Sequence, residues 1–432
     1  MRPLVLLALC ALPALAKEVA RDEHGAVLEA SGFYKSLLSA VVLRPETVDA
    51  TRQQVSLLGL KTTVPEAGFT NAHLLRLASK FRFEDKVELD VAWQLQATLA
   101  SDPLFAASSP LSSTIGGTGA GAQRRVVELG GNLGTGQVWR VDHNLDRLAL
   151  KLGLPFGDLT IGRQVLSWGT GRLWNPTDVL SPFPPTVVDR EVRRGFDAVR
   201  LAVALGDVTQ LDLLWLPQQV AEDNGAVARF QTNVLGWDGS VSVGKYVRDL
   251  VIGADLVGDV GPVGVHAEGA YTLELRGLGT GRVDVGEHFF RGVVGAEARP
   301  HEKVLVMLEY SYNGYGSNDP KRYAAILSSA RVLRGEIFGA GMHQAALAVS
   351  FAASELLSTG LSVLANLADP SVMLIPTLEY SFTQTVLVRG GAYVPIGRPV
   401  DVSSFDLATR GLRSEYGGSG YGAFLQVGLH VP

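Results

Sequence analysis

Between residues 74 and 99, apolar and polar side chains alternate with a period of two along two arms. In the first arm Leu75, Leu77, Phe81 and Phe83 share one face, with Ser79 between them, and Arg76, Lys80 and Arg82 fall on the other. Glu84-Asp85-Lys86 turns the chain. Val87, Leu89, Val91, Trp93, Leu95, Ala97 and Leu99 then resume the apolar face, alternating with Glu88, Asp90, Gln94, Gln96 and Thr98. Successive side chains of a strand point to opposite faces, so this is a hairpin with one apolar and one charged side. Each arm runs about ten residues or more, against about 5–6 in an ordinary strand. A bilayer crossing requires about 9–11 tilted residues. The pattern predicts a transmembrane hairpin with Leu89, Val91 and Leu95 toward lipid. Arg76, Lys80, Arg82, Glu88 and Asp90 face a lumen, where Arg82 with Glu88 and Lys80 with Asp90 are expected to pair across the strands.

The same alternation recurs. Val199, Leu201, Val203 and Leu205 oppose Asp197 and Arg200, Gly206-Asp207 marks a hairpin turn, and Leu211, Leu213 and Trp215 come after it. Residues 144–154 and 159–167 flank Pro155-Phe156-Gly157-Asp158, and Val263, Val265, Ala267, Tyr271, Leu273 and Leu275 alternate with His266, Glu268, Thr272, Glu274 and Arg276. Further runs lie around 227–258, 287–313, 344–381, 385–394 and 423–431. They predict an all-β fold, one transmembrane antiparallel β-barrel of about sixteen strands (14–18), because a closed sheet grows without a wider solid core. The barrel is expected over residues 51–432, with long connections near 101–122, 168–195, 314–342 and 395–420 gathered at one rim. Residues 17–50 read as a separate periplasmic or lumenal segment, with a helix over Ser31 to Val42.

Residues 1–16 have the form of a secretory signal peptide: Arg2, an apolar Leu4 to Leu12, and Ala14-Leu15-Ala16 before Lys17. Leu9 is too bulky, and Cys10 too deep in the apolar stretch, for a lipoprotein signal. Cys10, the single cysteine, would leave with the leader, so neither disulfides nor cysteine-bound metal are expected. With 38 Lys and Arg against 43 Asp and Glu, a formal charge of −5, the chain lacks the cationic excess that nucleic acid requires. Hydrophobic residues reach 47%, yet beyond the leader no apolar run approaches the ~18 residues of a membrane helix. The apolar content is dispersed, as it is when every second side chain meets lipid.

The most distinctive stretch is Ile161-Gly162-Arg163-Gln164-Val165-Leu166-Ser167-Trp168-Gly169-Thr170-Gly171-Arg172-Leu173-Trp174-Asn175-Pro176-Thr177-Asp178. It resembles bacterial outer-membrane porin-like barrels, including the alginate-export-like group, in which Gly-Arg-Gln followed by Trp-Gly recurs. The likeness runs on more weakly through residues 193–200. It implies an outer-membrane barrel, with membrane lipid and a small solute as partners, and leaves association as a homotrimer open. One departure is the end of the chain. Such barrels commonly finish on an aromatic residue, and this one finishes Val431-Pro432.

Around that stretch Arg163, Arg172, Arg190, Arg193, Arg194 and Arg200 lie near Asp178, Asp189, Glu191 and Asp197. Folded inward, the loop would place these charges across the lumen, where they either brace it or select solutes at a constriction. Trp168 and Trp174 suit interface anchoring, and Pro182, Pro184 and Pro185 stiffen the segment beyond them. No nucleophile elbow, phosphate loop or zinc motif is present, the eight histidines are scattered, and Glu222-Asp223-Asn224 alone is a weak calcium signal. No catalytic residue, metal or cofactor is assigned. The leading expectation is a porin-like channel for passive passage of a small polar or anionic solute. The alternatives are a structural or surface-interaction barrel with a plugged lumen and, behind it, a barrel-wall enzyme.

Overall fold

The computed structural model describes residues 18–431 apart from 22–24, 60–62, 85, 109–124, 188, 278–283, 404–405 and 407. The expected signal peptide lies outside the described residues, as does most of the connection expected over 101–122. The strands in chain order are β1 (Glu18–Arg21), β2 (Ala26–Val42), β3 (Ala67–Phe83), β4 (Val87–Ala100), β5 (Gly130–Thr135) and β6 (Trp139–Leu154). Next come β7 (Gly157–Gln164), β8 (Phe196–Ala204), β9 (Gln210–Leu216), β10 (Gly225–Val234), β11 (Trp237–Tyr246), β12 (Asp249–Val260) and β13 (Val263–Arg276). The set ends with β14 (Asp284–His301), β15 (Val304–Asn313), β16 (His343–Ala352), β17 (Leu357–Asn366), β18 (Ser371–Ser381), β19 (Val386–Ile396) and β20 (Tyr421–Val431).

Neighbouring strands pair antiparallel, and β20 returns to β2, from Gly32 opposite Val431 to Val42 opposite Tyr421, which closes the sheet. Two strands lie outside this ring. β1 pairs only with the foot of β2, and β5 flanks the upper part of β6, whose other edge is held by β4. The closed antiparallel barrel therefore has 18 strands, not about sixteen.

The strand that the pattern hides is β2. Residues 26–42 are barrel wall, so the expectation of a separate 17–50 segment with a helix from Ser31 is corrected. Phe33 and Leu37 of β2 turn inward and are buried, while Tyr34 and Ser36 turn outward. Apolar and polar side chains thus share both faces, and the period-two signal vanishes. The connection after it carries α1 (Pro45–Leu57), a rim helix tied to the last long connection through Thr47 Oγ1 to the Gly418 carbonyl. No described helix is long and apolar enough to cross a membrane.

Elsewhere the wall inverts the usual globular arrangement. Val241, Val243, Ile252, Val294 and Leu308 are exposed on the outside, whereas Gln94, Glu268, Arg291, Glu309 and Gln344 are buried on the inside. That is the distribution of a barrel whose outer solvent is hydrocarbon. Its register opposes Lys80 to Asp90 and Arg82 to Glu88. Connections at one rim are short: residues 155–156, 235–236, 261–262 and 302–303. In the second, Leu235 and Gly236 both adopt positive φ (55° and 85°), the pair of left-handed residues that a type I′ turn needs. The Gly206-Asp207 turn is longer than a two-residue hairpin, spanning 205–209. The opposite rim carries the connections 43–66, 101–138, 165–195, 314–342 and 397–420.

Candidate functional site in the barrel lumen

β7 stops at Gln164, and the chain leaves the wall until β8 begins at Phe196. Residues 165–195 enter the lumen, and buried loop backbone must then find hydrogen-bond partners away from water. Two wall carboxylates supply them. Glu268 on β13 accepts the N–H groups of Thr170 (2.8 Å), Gly171 (3.0 Å) and Thr177 (2.6 Å), and the Thr177 hydroxyl (2.8 Å). Glu309 on β15 accepts the N–H groups of Arg172 and Leu173 and meets His266 Nε2 at 2.9 Å. The Trp-Gly-Thr-Gly run is what this clamp demands. Gly169 has φ +89°, and a Cβ there would sit 2.6–2.9 Å from the Glu268 carboxylate; at Gly171 it would lie 1.9 Å from the Trp174 carbonyl oxygen.

Apolar packing completes the inward fold. Trp168, Val179 and Leu180 pack with Phe196, Leu214, Leu216, Val227 and Tyr246, while Leu173 and Trp174 join Val293, Met307 and Ile375. The loop then crosses to the seam of the barrel. Tyr393 on β19 donates to the Thr186 carbonyl at 3.0 Å. Lys35 on β2 bridges Asp189 (2.6 Å) and Glu191 (2.5 Å), Gln426 reaches Asp189 at 2.6 Å, and His430 meets Glu191 at 3.1 Å. Burial works to raise both loop carboxyls, but the attraction of Lys35, helped by Gln426 at Asp189 and by His430 at Glu191, holds both below their ordinary values. On the way back Arg193 pairs with Asp178 and donates to the Ser181 carbonyl, and the Gly195 N–H reaches Asp146 on β6.

The residues singled out in the sequence fall into three groups. Arg163, 1% exposed, sits in the wall where β6, β7 and β8 diverge, bonded to Asp197 (2.8 Å) and to the carbonyls of Leu145 and Val127. Arg200 pairs with Asp212 of β9 (2.7 Å), and Arg172 with Glu297 of β14 (2.6 Å). Arg76 pairs with Asp146, Lys80 with Glu88 diagonally, and Arg82 with Glu29 of β2 in place of Glu88. Asp90 stands opposite Lys80. Burial brings Arg194 down to about 10, with Arg125 adding repulsion. Arg190 is different again. Its guanidinium donates to three loop carbonyls, those of Arg172, Val187 and Pro185, and to no carboxylate among the described residues.

Arg190 borders a polar cavity of about 270 Å³ between the loop and β16–β19. The loop contributes Leu173, Pro185, Thr186 and Val187, and the wall contributes the hydroxyls of Ser350, Ser358, Ser362 and Thr377 with the Glu379–Arg389 pair. Sequence reasoning alone does not single out Glu268, Glu309, Lys35 and Arg389 as site residues. Glu268 is legible as a polar member of an alternating strand, but its partners lie 91–98 positions away.

No family model matches the sequence, and no curated protein matches it. Solved structures do. Pseudomonas aeruginosa OccK5 (OpdH) aligns over 94% of this chain and 98% of its own, with a TM-score of 0.53 and 10% identity. Acinetobacter baumannii OccAB1 aligns over 94% and 96%, with a TM-score of 0.51 and 11% identity. A triple-mutant Rhodopseudomonas blastica porin covers 93% and 99% at 12% identity and a TM-score of 0.42. At these identities the likeness is one of fold: the chain is a closed, outwardly apolar antiparallel β-barrel built as these solved channel proteins are.

Proposed function

We propose that the protein is a channel for the passive passage of small polar or anionic solutes, with its constriction between residues 173–190 and strands β16–β19. The observation that carries this reading is the hydroxyl-lined cavity bordered by Arg190, a cation whose hydrogen bonds go to carbonyls and to no described carboxylate. The other arginines of the region hold structure. Arg163, Arg172, Arg193 and Arg200 are each matched to a carboxylate, so they brace the loop and wall more than they select. A structural barrel with a closed lumen is the rival, because the loop buries Trp168, Leu173 and Trp174 inside the wall. Single-channel recording on the reconstituted full chain separates the two. Discrete conductance steps support the channel; a folded barrel that inserts and never conducts overturns it.

A further inference from the structure

Buried polar atoms ordinarily have hydrogen-bond partners, so a group of them without any points to something that binds there. Three such atoms gather near the rim that carries the long connections, where the 165–195 loop and the 314–342 connection meet the wall. They are Arg291 Nε on β14, Asn313 Nδ2 at the end of β15 and Asn175 Oδ1 on the loop, each buried and each without a partner among the described residues. Arg291 is 9% exposed and Asn313 5%. All three side chains line one cavity of about 30 Å³. The other polar atoms of the two wall residues are already engaged. Arg291 donates to the Glu336 carbonyl of the connection (2.5 Å) and to the Pro176 carbonyl of the loop (3.0 Å). Asn313 Oδ1 accepts the Tyr315 N–H (3.2 Å), which leaves its amide nitrogen to the cavity.

We propose that this cavity is a binding site for water, one or two molecules that tie the loop and the connection to the wall. Holding one water takes about 10–15 Å³ and two to four polar partners, and the cavity offers that space and three unanswered groups. A water accepts from Arg291 and Asn313 and donates to Asn175, with the Ser311 hydroxyl on the same lining for its second hydrogen. Charged ligands do not suit the site. An anion would answer the two donors but meet the Asn175 oxygen and the Glu336 carboxylate, which lines the cavity and bonds Arg334 at 2.7 Å. A cation would meet the Arg291 guanidinium. The site also gives the Asn-Pro-Thr-Asp run a role. Asn175 is the loop's hold on the water, and the Pro176 carbonyl is its hold on the same guanidinium.

The test is a crystal structure of the full chain, at a resolution that shows ordered water, from crystals grown in chloride and in bromide. Density for one or two waters within hydrogen-bonding distance of Arg291 Nε, Asn313 Nδ2 and Asn175 Oδ1, with no anomalous bromide signal, is the expected result. A cavity closed by direct bonds among the three side chains, or one that holds bromide, would overturn the proposal. The hold on the loop is read separately. Asn313→Leu removes a donor, fills the space and strands the other two groups, so protease should cut within 165–195 about tenfold faster while the barrel keeps its heat-modifiable band. Asn175→Ala, which removes only the loop's side of the site, should act in the same direction and serves alone if the leucine variant does not fold. A loop as resistant in these variants as in the parent would equally overturn the proposal.

Discussion

At the scale of one residue, the barrel reading rests on which side of the wall a side chain occupies. Val91 and Asp90 are neighbours on β4, and the register that opposes Lys80 to Asp90 sends them to opposite faces. Val91→Arg is therefore expected to cost about 2–4 kcal/mol where the position lies near the bilayer midplane. Reversible urea unfolding in lipid vesicles measures it. Against a Cys10→Ser background, a water-soluble thiol reagent should label Asp90→Cys well ahead of Val91→Cys; the reverse order would sink the register. Period-two alternation makes such faces legible without coordinates. It does not choose ion-pair partners. Arg82 stands opposite Glu88 yet bonds Glu29, because β2 supplies a nearer carboxylate and β2 has no alternation to announce it.

At the scale of an element, the 165–195 loop shows where reading by pattern ends. Its Trp-Gly-Thr-Gly and Asn-Pro-Thr-Asp runs stand out in the sequence, but the reason for them is Glu268 and Glu309, distant in the chain and close only once the barrel closes. Glu268→Gln would present an amide to backbone N–H groups that need acceptors. Each lost bond to a buried charged group is worth about 1.5–3 kcal/mol. The loop should then become sensitive to protease and the open-channel current noisy, with the barrel still folded; a loop as resistant as the parent's would refute the clamp. The far end of the loop adds a pH dependence. Asp189 and Glu191 are held below their ordinary values of 3.8 and 4.5, chiefly by Lys35 working against burial. A depressed carboxylate contributes stability above its unfolded value and loses it as pH falls through the folded one. Protease resistance of the loop should therefore be flat from about pH 7 to pH 5 and decline below about pH 4. Lys35→Met should move that decline to higher pH.

At the scale of the whole molecule, net charge and local field point in opposite directions. The chain is acidic, with a formal charge of −5, and on that ground alone it would favour cations. Free surface charge is screened within about 8–10 Å at physiological salt, whereas a charge beside a narrow, low-dielectric passage is screened far less. The proposed constriction puts Arg190 at such a place, at the border of the cavity between loop and wall. Burial pushes its guanidinium below the ordinary value, Glu309 partly offsets this, and it remains a cation at neutral pH. Under a salt gradient the reconstituted parent should prefer anions, and Arg190→Gln should shift the reversal potential toward cations with the fold retained. Arg193→Gln with Arg194→Gln is the informative contrast. Arg193 is committed to Asp178 and Arg194 is half-buried, so this pair should loosen the loop to protease and leave selectivity nearly unchanged. Should the two variants exchange effects, the constriction lies along residues 193–194. Should neither move the reversal potential of a conducting barrel, selection is made elsewhere on the wall, and the Glu379–Arg389 pair on the far side of the cavity is the next group to vary.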